Sequence, residues 1–368
     1  MKLKEITKYI EEIAPLSLQE SYDNAGLIVG NPEMVVKGAL ICLDSIESVL
    51  DEAIELGCNL VIAHHPIVFS GLKKLNGASY VERVVIKAIK NDIAIYAAHT
   101  NLDNVRNGVN KKIADRLELK STSILVPKDR LLNKLITFCP KEKASEVREA
   151  LFGAGAGNIG EYSECSFSSE GEGTYKASER SNPYAGEQGK RHSENEIKIE
   201  VVFPSNLKTR VIQNLVDSHP YEEVAYDIIQ LENKWNMVGS GMIGELDNVM
   251  DEEDFLKYVS VQMNTKCIRH TSLLNKPIKR VAICGGAGSF LIKNAIAAKA
   301  DVLITGDVKY HEFFDADNQL VIMDVGHYES EQFTCELFYE ILIEKFPTFA
   351  LHLSKMDTNS INYYYGRN

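Results

Sequence analysis

The sequence predicts an α/β fold in which two duplicated βαβ-type halves form one layered α/β domain, interrupted by an α+β ferredoxin-like inserted domain. Three observations predict it. Apolar strands alternate with helices near both ends of the chain, which is typical of a mainly parallel sheet. The order of elements near the start recurs near the end. The stretch between them reads β-α-β-β-α-β, the ferredoxin-like order. We therefore predict a domain made of residues 1–127 and 236–368, and an insert at 128–235.

The first half alternates helices and strands and ends two of its strands in histidine. Its predicted elements are helix 3–13, strand 38–44, helix 45–56, strand 60–63, helix 80–91 and strand 93–98. Gly57 ends the second helix, as glycine commonly does at a helix C-terminus. His64 and His65 follow the middle strand directly, and Pro66 then stops the ladder because it has no N–H to donate. His99 follows the third strand.

The far end of the chain repeats this order. One constant shift superposes Ile41-Cys42 on Ile283-Cys284, Ile62 on Ile304, and His64-His65 on Gly306-Asp307. A slightly different offset in residue number aligns His99-x3-Asp103 with His327-x3-Glu331. The two offsets differ because the connection after His65 is longer than its counterpart in the second half. We interpret the match as an internal duplication. Chance identity between short apolar strands is the alternative.

The insert has the composition of a separate domain. Its predicted elements are strand 134–138, helix 144–152, strand 162–169, strand 197–203, helix 207–217 and strand 224–229. The stretch 170–196 is rich in Gly, Ser, Glu and Lys, which indicates a loop or a long hairpin tip. We expect His219, near the end of the insert, to lie in a loop that packs on its own sheet.

Composition excludes several classes of protein. The net charge of −12 argues against nucleic acid as the main partner, because phosphate binding needs a basic face. No apolar run approaches the roughly 20 residues that span a bilayer, and the first residues lack the apolar core of a secretion signal. The seven cysteines form no CxxC pair and lie mostly in apolar runs, which favours reduced thiols. We expect a cytoplasmic protein without a membrane partner.

Histidines and acids at the strand ends predict a metal site. His64, His65, His99 and His327 all come directly after predicted strands, and acids stand nearby. The carboxyl ends of strands are where ligands bind in α/β sheets. Imidazole and carboxylate are metal ligands when they converge. Residues four apart share a helix face, so a helix would bring His327 and Glu331 together.

The adjacent histidines leave the number of ions open. Neighbours on a regular strand point in opposite directions, so His64 and His65 converge on one ion only if the chain bends at Pro66. Otherwise each serves its own ion, and two ions about 3.5–4 Å apart with a bridging carboxylate would use the available ligands.

Other candidates have simpler readings. Cys42 and Cys284 are expected to be core residues. The glycine-rich stretch 285–288 precedes a helix and could hold an anion on backbone N–H groups, but it lacks the Lys-Ser/Thr of a phosphate loop and is expected to be a tight turn.

With these residues in place, the sequence resembles the Ngg-interacting-factor-three-like family of metal-binding proteins, whose bacterial members are often named GTP cyclohydrolase 1 type 2 homologs. The matching stretches are Tyr22-Asp-Asn-Ala-Gly-Leu, Ala63-His-His-Pro-Ile-Val-Phe, His99-Thr-Asn-Leu-Asp, Thr305-Gly-Asp-Val-Lys-Tyr-His311 and Gly326-His-Tyr-Glu-Ser-Glu331. The insert is similar to the PII/CutA-like domain of the longer bacterial members.

The resemblance implies a site and an assembly. It implies two divalent ions per chain, zinc or iron, with ligands at His64, His65, Asp103, His327 and Glu331, the last as bridge. His99 would then line the pocket, although the repeat alone would make it a ligand equal to His327. Thr305, Asp307 and His311 would lie near the same pocket. The resemblance also implies a homohexamer whose metal sites line an internal cavity.

Two classes of function are compatible with these residues and with the resemblance. One is a metal-dependent hydrolase that acts on a nucleotide, as the GTP cyclohydrolase name implies, or on a phosphoester. His99 or His311 would then transfer protons, and Thr305 and Asp307 are the candidates for substrate binding. The other is a non-enzymatic, metal-binding regulatory hexamer whose insert senses a small-molecule ligand or gates the cavity.

Overall fold

The computed structural model describes residues 1–364, and the last residues of the predicted domain 236–368 lie outside the described residues. The chain divides into two compact units. Unit 1 is Met1–Pro127 with Asn236–Asn368, and unit 2 is Lys128–Trp235. Across residues 1–364 the fold is a mixed α/β one with three sheets.

The strands in chain order are β1 Gly26–Val29, β2 Ala39–Asp44, β3 Leu60–His65, β4 Ala94–Ala97, β5 Lys120–Lys128, β6 Leu132–Pro140, β7 Ser166–Lys176, β8 Arg191–Pro204, β9 Tyr226–Leu231, β10 Trp235–Met250, β11 Arg269–His270, β12 Ile278–Ala287, β13 Val302–Gly306, β14 Val321–Asp324 and β15 Leu351–Leu353. The helices are α1 Leu3–Ile13, α2 Glu47–Glu55, α3 Tyr80–Lys90, α4 Thr100–Asn104, α5 Val109–Arg116, α6 Ala144–Gly153, α7 Lys208–Ser218, α8 Glu252–Gln262, α9 Ile292–Ala297, α10 His327–Glu331 and α11 Thr334–Lys345. No helix in this described part is long and apolar enough to cross a bilayer.

One sheet of unit 1 places histidine-bearing strand ends side by side. Its order is β1-β4-β3-β2-β15, and every pair is parallel except β1 with β4. Parallel strands share a carboxyl edge, so the ends of β2, β3 and β4 meet there. Asp44 is the register partner of His65 at this edge.

The second sheet of unit 1 has the order β11-β14-β13-β12-β10-β5. Its centre, β12-β13-β14, is parallel, whereas β10 and β11 join antiparallel. The ends of β13 and β14 carry Thr305 and Asp324 as register partners. Helix α10 begins shortly after β14 and therefore starts near this edge.

Buried strands and the apolar faces of helices form the cores of unit 1. Val49, Ala53, Val84 and Ala88 of α2 and α3 belong to one cluster with residues of β2, β3 and β4. A second cluster joins β12, β13 and β14 with α9. Cys42 and Cys284 are both buried, as the core interpretation predicted. Burial raises the pKa of the Cys42 thiol, which keeps it protonated.

Unit 2 contains a four-stranded sheet in the order β7-β8-β6-β9, in which every pair is antiparallel. Its core combines the inward side chains of β6 and β8 with α6 and α7.

The stretch 170–196 forms the distal part of a long hairpin, as one of the two expectations had it, whereas the expectation of a loop was wrong for its two ends. Strand β7 continues through Lys176, β8 begins at Arg191, and the two pair without interruption. The polar composition was misleading because exposed strands can be polar on both faces. Their backbone pairing, which composition does not reveal, holds them in the sheet. Only residues 177–190 connect the two strands.

Candidate metal centre

Histidines and carboxylates come together in unit 1 at the ends of five strands, β2, β3, β4, β13 and β14. Among the described residues, three groups have candidate ligand atoms within 4.8 Å of one another: His64-Asp103-Glu331, His65-His327-Glu331 and His64-His65-His99. The first two groups share Glu331.

His64 is the next-to-last residue of β3 and is fully buried. Its Nδ1 lies 2.9 Å from the carbonyl oxygen of Ala98, so Nδ1 carries the hydrogen that it donates there. That bond leaves a lone pair on Nε2. Nε2 lies 3.5 Å from Asp103 Oδ1 and 3.7 Å from Glu331 Oε1. Burial lowers the pKa of His64, which favours the neutral ring that metals bind.

His65 points its ring at a different set of partners. Nδ1 lies 2.7 Å from Asp44 Oδ1, and Nε2 lies 2.9 Å from Glu331 Oε2 and 3.4 Å from His327 Nε2. Burial alone would lower the pKa of His65, but the two carboxylates raise it to about 10. Bound metal would displace the Nε2 proton, while the Asp44 carboxylate would hold the ring in orientation.

Asp44 was not singled out from the sequence. As the last residue of β2 before Ser45 and a helix, it resembles a residue at a helix start. Its position beside His65 depends on the register of two strands, and the repeated order of elements, combined with the rule that parallel strands end together, could have revealed it.

His327 and Glu331 are the ends of α10, one turn of helix, as their spacing predicted. His327 Nε2 lies 3.1 Å from Glu331 Oε2, and His327 Nδ1 lies 2.7 Å from Asp307 Oδ2. Burial lowers the pKa of His327, but Glu331 and Asp307 outweigh it and raise the pKa to about 9. Asp307 thus orients His327 as Asp44 orients His65. Its role in substrate binding stays a prediction.

The glycine-rich turn after β12 makes room for Glu331. A Cβ at Gly286, whose φ is +62°, would collide with Glu331 Oε1. The N–H groups of Gly285, Gly286 and Gly288 donate to Asn110 Oδ1, Ser330 Oγ and Thr305 Oγ1. These amides already have acceptors within the protein, so the contacts favour the tight-turn interpretation over an anion cradle.

Two carboxylates share this pocket, those of the buried Glu331 and the partly exposed Asp103. Burial raises the pKa of Asp103 well above its usual value, and the charge of Glu331 adds to that effect. Burial would also raise the pKa of Glu331, but its close contacts with the imidazoles of His327, His64 and His65 hold that pKa well below its usual value. An ionised pair of carboxylates in a buried pocket needs a positive charge between them.

His99 lies on the same wall of the pocket but has a different anchor. Its ring lies 5.3 Å from that of His64 and 5.4 Å from that of His65. Its Nδ1 is 2.8 Å from Asp23 Oδ1, and Asp23 also accepts hydrogen bonds from the backbone and hydroxyl of Thr100. Despite burial, these bonds lower the pKa of Asp23 to about 2. Asp23 therefore stays ionised and fixes the ring of His99.

Two other candidates from the sequence do not belong to these groups. The buried hydroxyl of Thr305 donates to the carbonyl of Gly286 and accepts from Gly288, each at 2.9 Å, so its contacts fix the glycine-rich turn. His311 belongs to the 3-10 turn Tyr310–Ala316, is exposed, and contacts the rings of Tyr310 and Phe314. None of the three groups found among residues 1–364 includes it. Roles for Thr305 in substrate binding and for His311 in proton transfer stay predictions.

The chemistry of these residues fits a divalent metal. His64 Nε2 and Asp103 Oδ1 are buried and have no hydrogen-bond partner among the described residues, although they are only 3.5 Å apart. Leaving buried acceptors unpaired is unfavourable. A cation that both atoms coordinate would satisfy them and balance the two carboxylates. Imidazole with carboxylate suits zinc, iron and similar transition metals.

Fold and site together define a class: a mixed α/β protein with a buried cluster of histidines and carboxylates that can hold metal. The chain belongs to the family Duf34/NIF3 (NGG1p interacting factor 3), whose model matches residues 1–360.

Relatives and solved structures support this assignment over most of the chain. The relative from Halalkalibacterium halodurans is 42% identical over 324 residues, 88% of this chain and 87% of its own, and is named GTP cyclohydrolase 1 type 2 homolog. A relative of the same name from Bacillus subtilis is 40% identical over 88% of each chain. The crystal structure of a Bacillus cereus protein related to NIF3 matches with a TM-score of 0.87, at 38% identity over 99% of each chain.

Proposed function

We propose that this protein is a metal-dependent hydrolase with two divalent ions per chain, zinc or iron. His64 and Asp103 would hold one ion, His65 and His327 the other, and Glu331 would bridge them. One observation carries this proposal. The groups His64-Asp103-Glu331 and His65-His327-Glu331 share only Glu331, which turns Oε1 towards the first group and Oε2 towards the second.

The chain's own residues would prepare the reaction. Bound divalent ions would supply Lewis acidity and lower the pKa of water towards neutrality. Asp44 and Asp307 hold the rings of His65 and His327 through Nδ1, which leaves each Nε2 for coordination. His99, fixed by the ionised Asp23, presents its other nitrogen to the pocket and is the candidate for proton transfer.

An aromatic pair beside the pocket favours a nucleotide over a phosphoester that lacks a base. Tyr22 and Phe69 are both largely exposed and are stacked, with ring centroids 6.4 Å apart and planes 20° apart. The ring of Phe69 lies 5.7 Å from that of His99. Exposed aromatic faces stack on nucleobases, a contact worth about 1–3 kcal/mol per base. A purine on this pair would lie next to the candidate proton-transfer residue.

Metal content and turnover test the proposal together. Metal-replete protein should contain about two divalent ions per chain by mass spectrometry, and should hydrolyse GTP or another nucleotide. Glu331→Gln should lose both the ions and the turnover. Glu329→Gln is the matched control, because Glu329 is buried on the same helix but bonds to Asn359 and Tyr363. Fewer than one ion per chain would contradict the site.

The aromatic pair gives a separate test of substrate class. Tyr22→Leu and Phe69→Leu should raise KM for a nucleotide about tenfold and leave KM for p-nitrophenyl phosphate unchanged. Equal effects on both substrates would refute stacking. Ile159→Ala, which changes an exposed apolar residue of unit 2, is the control.

The competing candidate is a non-enzymatic, metal-binding regulatory hexamer. A cavity within unit 2, described below, favours it because the insert could then sense a ligand of its own. In that case metal-loaded protein should show no turnover in the nucleotide screen, and Glu331→Gln should alter metal content or assembly only. Native mass spectrometry tests the proposed homohexamer in both cases.

We propose further that unit 1 arose by duplication and that unit 2 is a ferredoxin-like, PII/CutA-like insert. Matching registers support the duplication, since Ile41 pairs with Ile62 and Ile283 with Ile304. The third strands are one residue out of step: Ile62 pairs with Tyr96, but Ile304 pairs with Met323. For unit 2, the order β-α-β-β-α-β and the sheet order β7-β8-β6-β9 support the proposal.

A further inference from the structure

Unit 2 contains a cavity of about 480 Å³ that is separate in sequence from every residue of the candidate metal centre. Its walls come from β6, β7, β8 and the segments 177–184 and 221–225. This volume lies within the range of about 300–1,000 Å³ typical of small-molecule sites. The residues that line it determine which ligand it can take.

Three tyrosines, together with Phe138, form the aromatic part of the wall. The ring of Tyr221 lies 5.9 Å from that of Tyr175, with planes 64° apart, and 6.0 Å from that of Tyr184, with planes 52° apart. Rings inclined at these angles do not stack on one another. They form walls of different orientation, as in the aromatic cages that surround ammonium groups.

The tyrosine hydroxyls are already used. The hydroxyl of Tyr175 donates to the carbonyl of Ala185 at 2.7 Å, and that of Tyr221 donates to Glu196 Oε1 at 2.8 Å. The hydroxyl of Tyr184 lies 3.4 Å from Glu142 Oε1. These bonds hold the rings in place. The rings then offer a ligand mainly their π faces, which carry partial negative charge.

Carboxylates add formal negative charge to the same wall. Glu196, Glu222 and Glu223 all line the cavity, against one lining cation, the exposed Lys176. Both oxygens of Glu222 accept from the backbone N–H of Asn182, which fixes the connecting segment. Glu196 Oε2 accepts no hydrogen bond from the described residues, and it lies where a Cβ at Gly173 would be.

We propose that this cavity binds a small organic ammonium ion, with its charge against the tyrosine faces and Glu196. Cation–π attraction and a carboxylate with a free oxygen both favour such a ligand. A nucleotide or phosphate is disfavoured, because three carboxylates outnumber the one lysine among the lining residues. The proposed ligand site lies within unit 2 alone, so its test does not depend on metal binding or turnover in unit 1.

Calorimetry on the metal-loaded full chain tests this directly. Choline is the probe, and 3,3-dimethyl-1-butanol, its uncharged counterpart of the same shape, is the control. We expect choline to bind and the alcohol to bind at least about tenfold more weakly, since only choline carries the charge. Putrescine tests whether a primary ammonium is also accepted. Equal binding of the alcohol, binding of AMP in preference to choline, or no binding of either ammonium at millimolar concentration would overturn the proposal.

Variants assign the binding to the cavity. Tyr184 is 45% exposed, so its replacement should not disturb the core of unit 2. Tyr184→Leu should weaken choline binding about tenfold, whereas Tyr184→Phe should retain it because the π face remains. Tyr162→Leu, at a tyrosine of the same unit outside the cavity, should have no effect. Equal loss in Tyr184→Leu and Tyr162→Leu would contradict the proposal.

A pair of glycines tests the role of Glu196 without changing any charge. Gly173→Ala would displace the Glu196 carboxylate, while the Cβ of Gly171→Ala meets nothing within 4 Å. Both glycines belong to β7. Gly173→Ala should weaken choline binding and Gly171→Ala should not. If Gly173→Ala bound choline as tightly as wild type, Glu196 would take no part in binding. Circular dichroism confirms that both variants are folded.

Discussion

Two buried histidines, one in each unit, show how the structure separates a candidate ligand from a structural residue. His219 in unit 2 uses both ring nitrogens, since Nε2 donates to the carbonyl of Phe138 at 3.0 Å and Nδ1 accepts from the backbone of Tyr221 at 3.1 Å. His64 in unit 1 uses Nδ1 in the same way, but its Nε2 has no partner among the described residues and faces two carboxylates. Burial lowers the pKa of both rings.

The difference teaches that burial and a neutral ring do not identify a ligand, whereas an unsatisfied nitrogen does. A buried acceptor without a partner costs free energy unless something binds it. His219 has no such deficit, so it contributes to the fold and positions Tyr221. His64 has the deficit, and carboxylates that a cation could bridge surround it.

The most direct test of this distinction between a metal ligand and a structural histidine is to replace each one by leucine. His64→Leu should lose more metal affinity than the about 10–100-fold typical of an outer partner. The metal-free protein should stay within about 1 kcal/mol of wild type, because removal of the unpaired Nε2 offsets the lost bond to the carbonyl of Ala98. His219→Leu should do the reverse. It should keep the metal and lose about 1–3 kcal/mol of stability, because the N–H of Tyr221 is left unsatisfied. Metal analysis and denaturant unfolding measure the two effects. If both variants lost metal equally, the distinction would be wrong.

A second experiment concerns the space that Glu331 occupies. Gly286→Ala should reduce metal affinity about 10–100-fold, since the new Cβ meets Glu331 Oε1 and forces it aside. Gly57→Ala is the matched control, because Gly57 also has positive φ but nothing lies within 4 Å of its Cβ position. Both variants should lose about 1 kcal/mol of stability from backbone strain alone, and only Gly286→Ala should lose metal. Retained metal in Gly286→Ala would show that Glu331 is not needed where it lies.

The sequence predicts much of this arrangement because the relevant patterns are local. Their positions directly after apolar strands suffice to place the histidines at the carboxyl ends of strands. The four-residue spacing of His327 and Glu331 is that of one helical turn. The alternation of strands and helices likewise predicts the mixed α/β class and the parallel centres of both sheets of unit 1.

What the sequence does not reveal depends on contacts between distant segments. Asp44 orients His65 only because β2 and β3 pair in one register. His99 resembles His327 in sequence, but Asp23, far earlier in the chain, holds its ring. The polar strand β7 is stable only because β8 pairs with it. Local propensity carries no information on any of these three contacts.

The two carboxylates that orient metal-site histidines differ in how far they are exposed to solvent. Asp44 and Asp307 each lie 2.7 Å from an Nδ1, but the side chain of Asp44 is 33% exposed and that of Asp307 51%. Asp44→Asn should therefore weaken metal binding about 10-fold, and Asp307→Asn by less, because water replaces an exposed partner more easily. Competition with a chromogenic chelator measures both. A larger effect at Asp307 would show that exposure does not govern these bonds.

The smallest effect is a pH dependence of stability from His219. Burial lowers the pKa of His219 below its unfolded value of 6.5, so the unfolded chain binds the proton more tightly. The stabilisation from the neutral ring is complete above pH 6.5 and declines as the pH falls from there through the lower folded pKa. Protonation also removes the lone pair that accepts from Tyr221. Thermal unfolding of wild type and His219→Leu should therefore show a difference in Tm that is largest above pH 7 and narrows on acidification. The metal centre is the same in both proteins, so its own titration cancels in this difference. A gap that is constant with pH, or wider in acid, would show that the folded protein accommodates a charged His219.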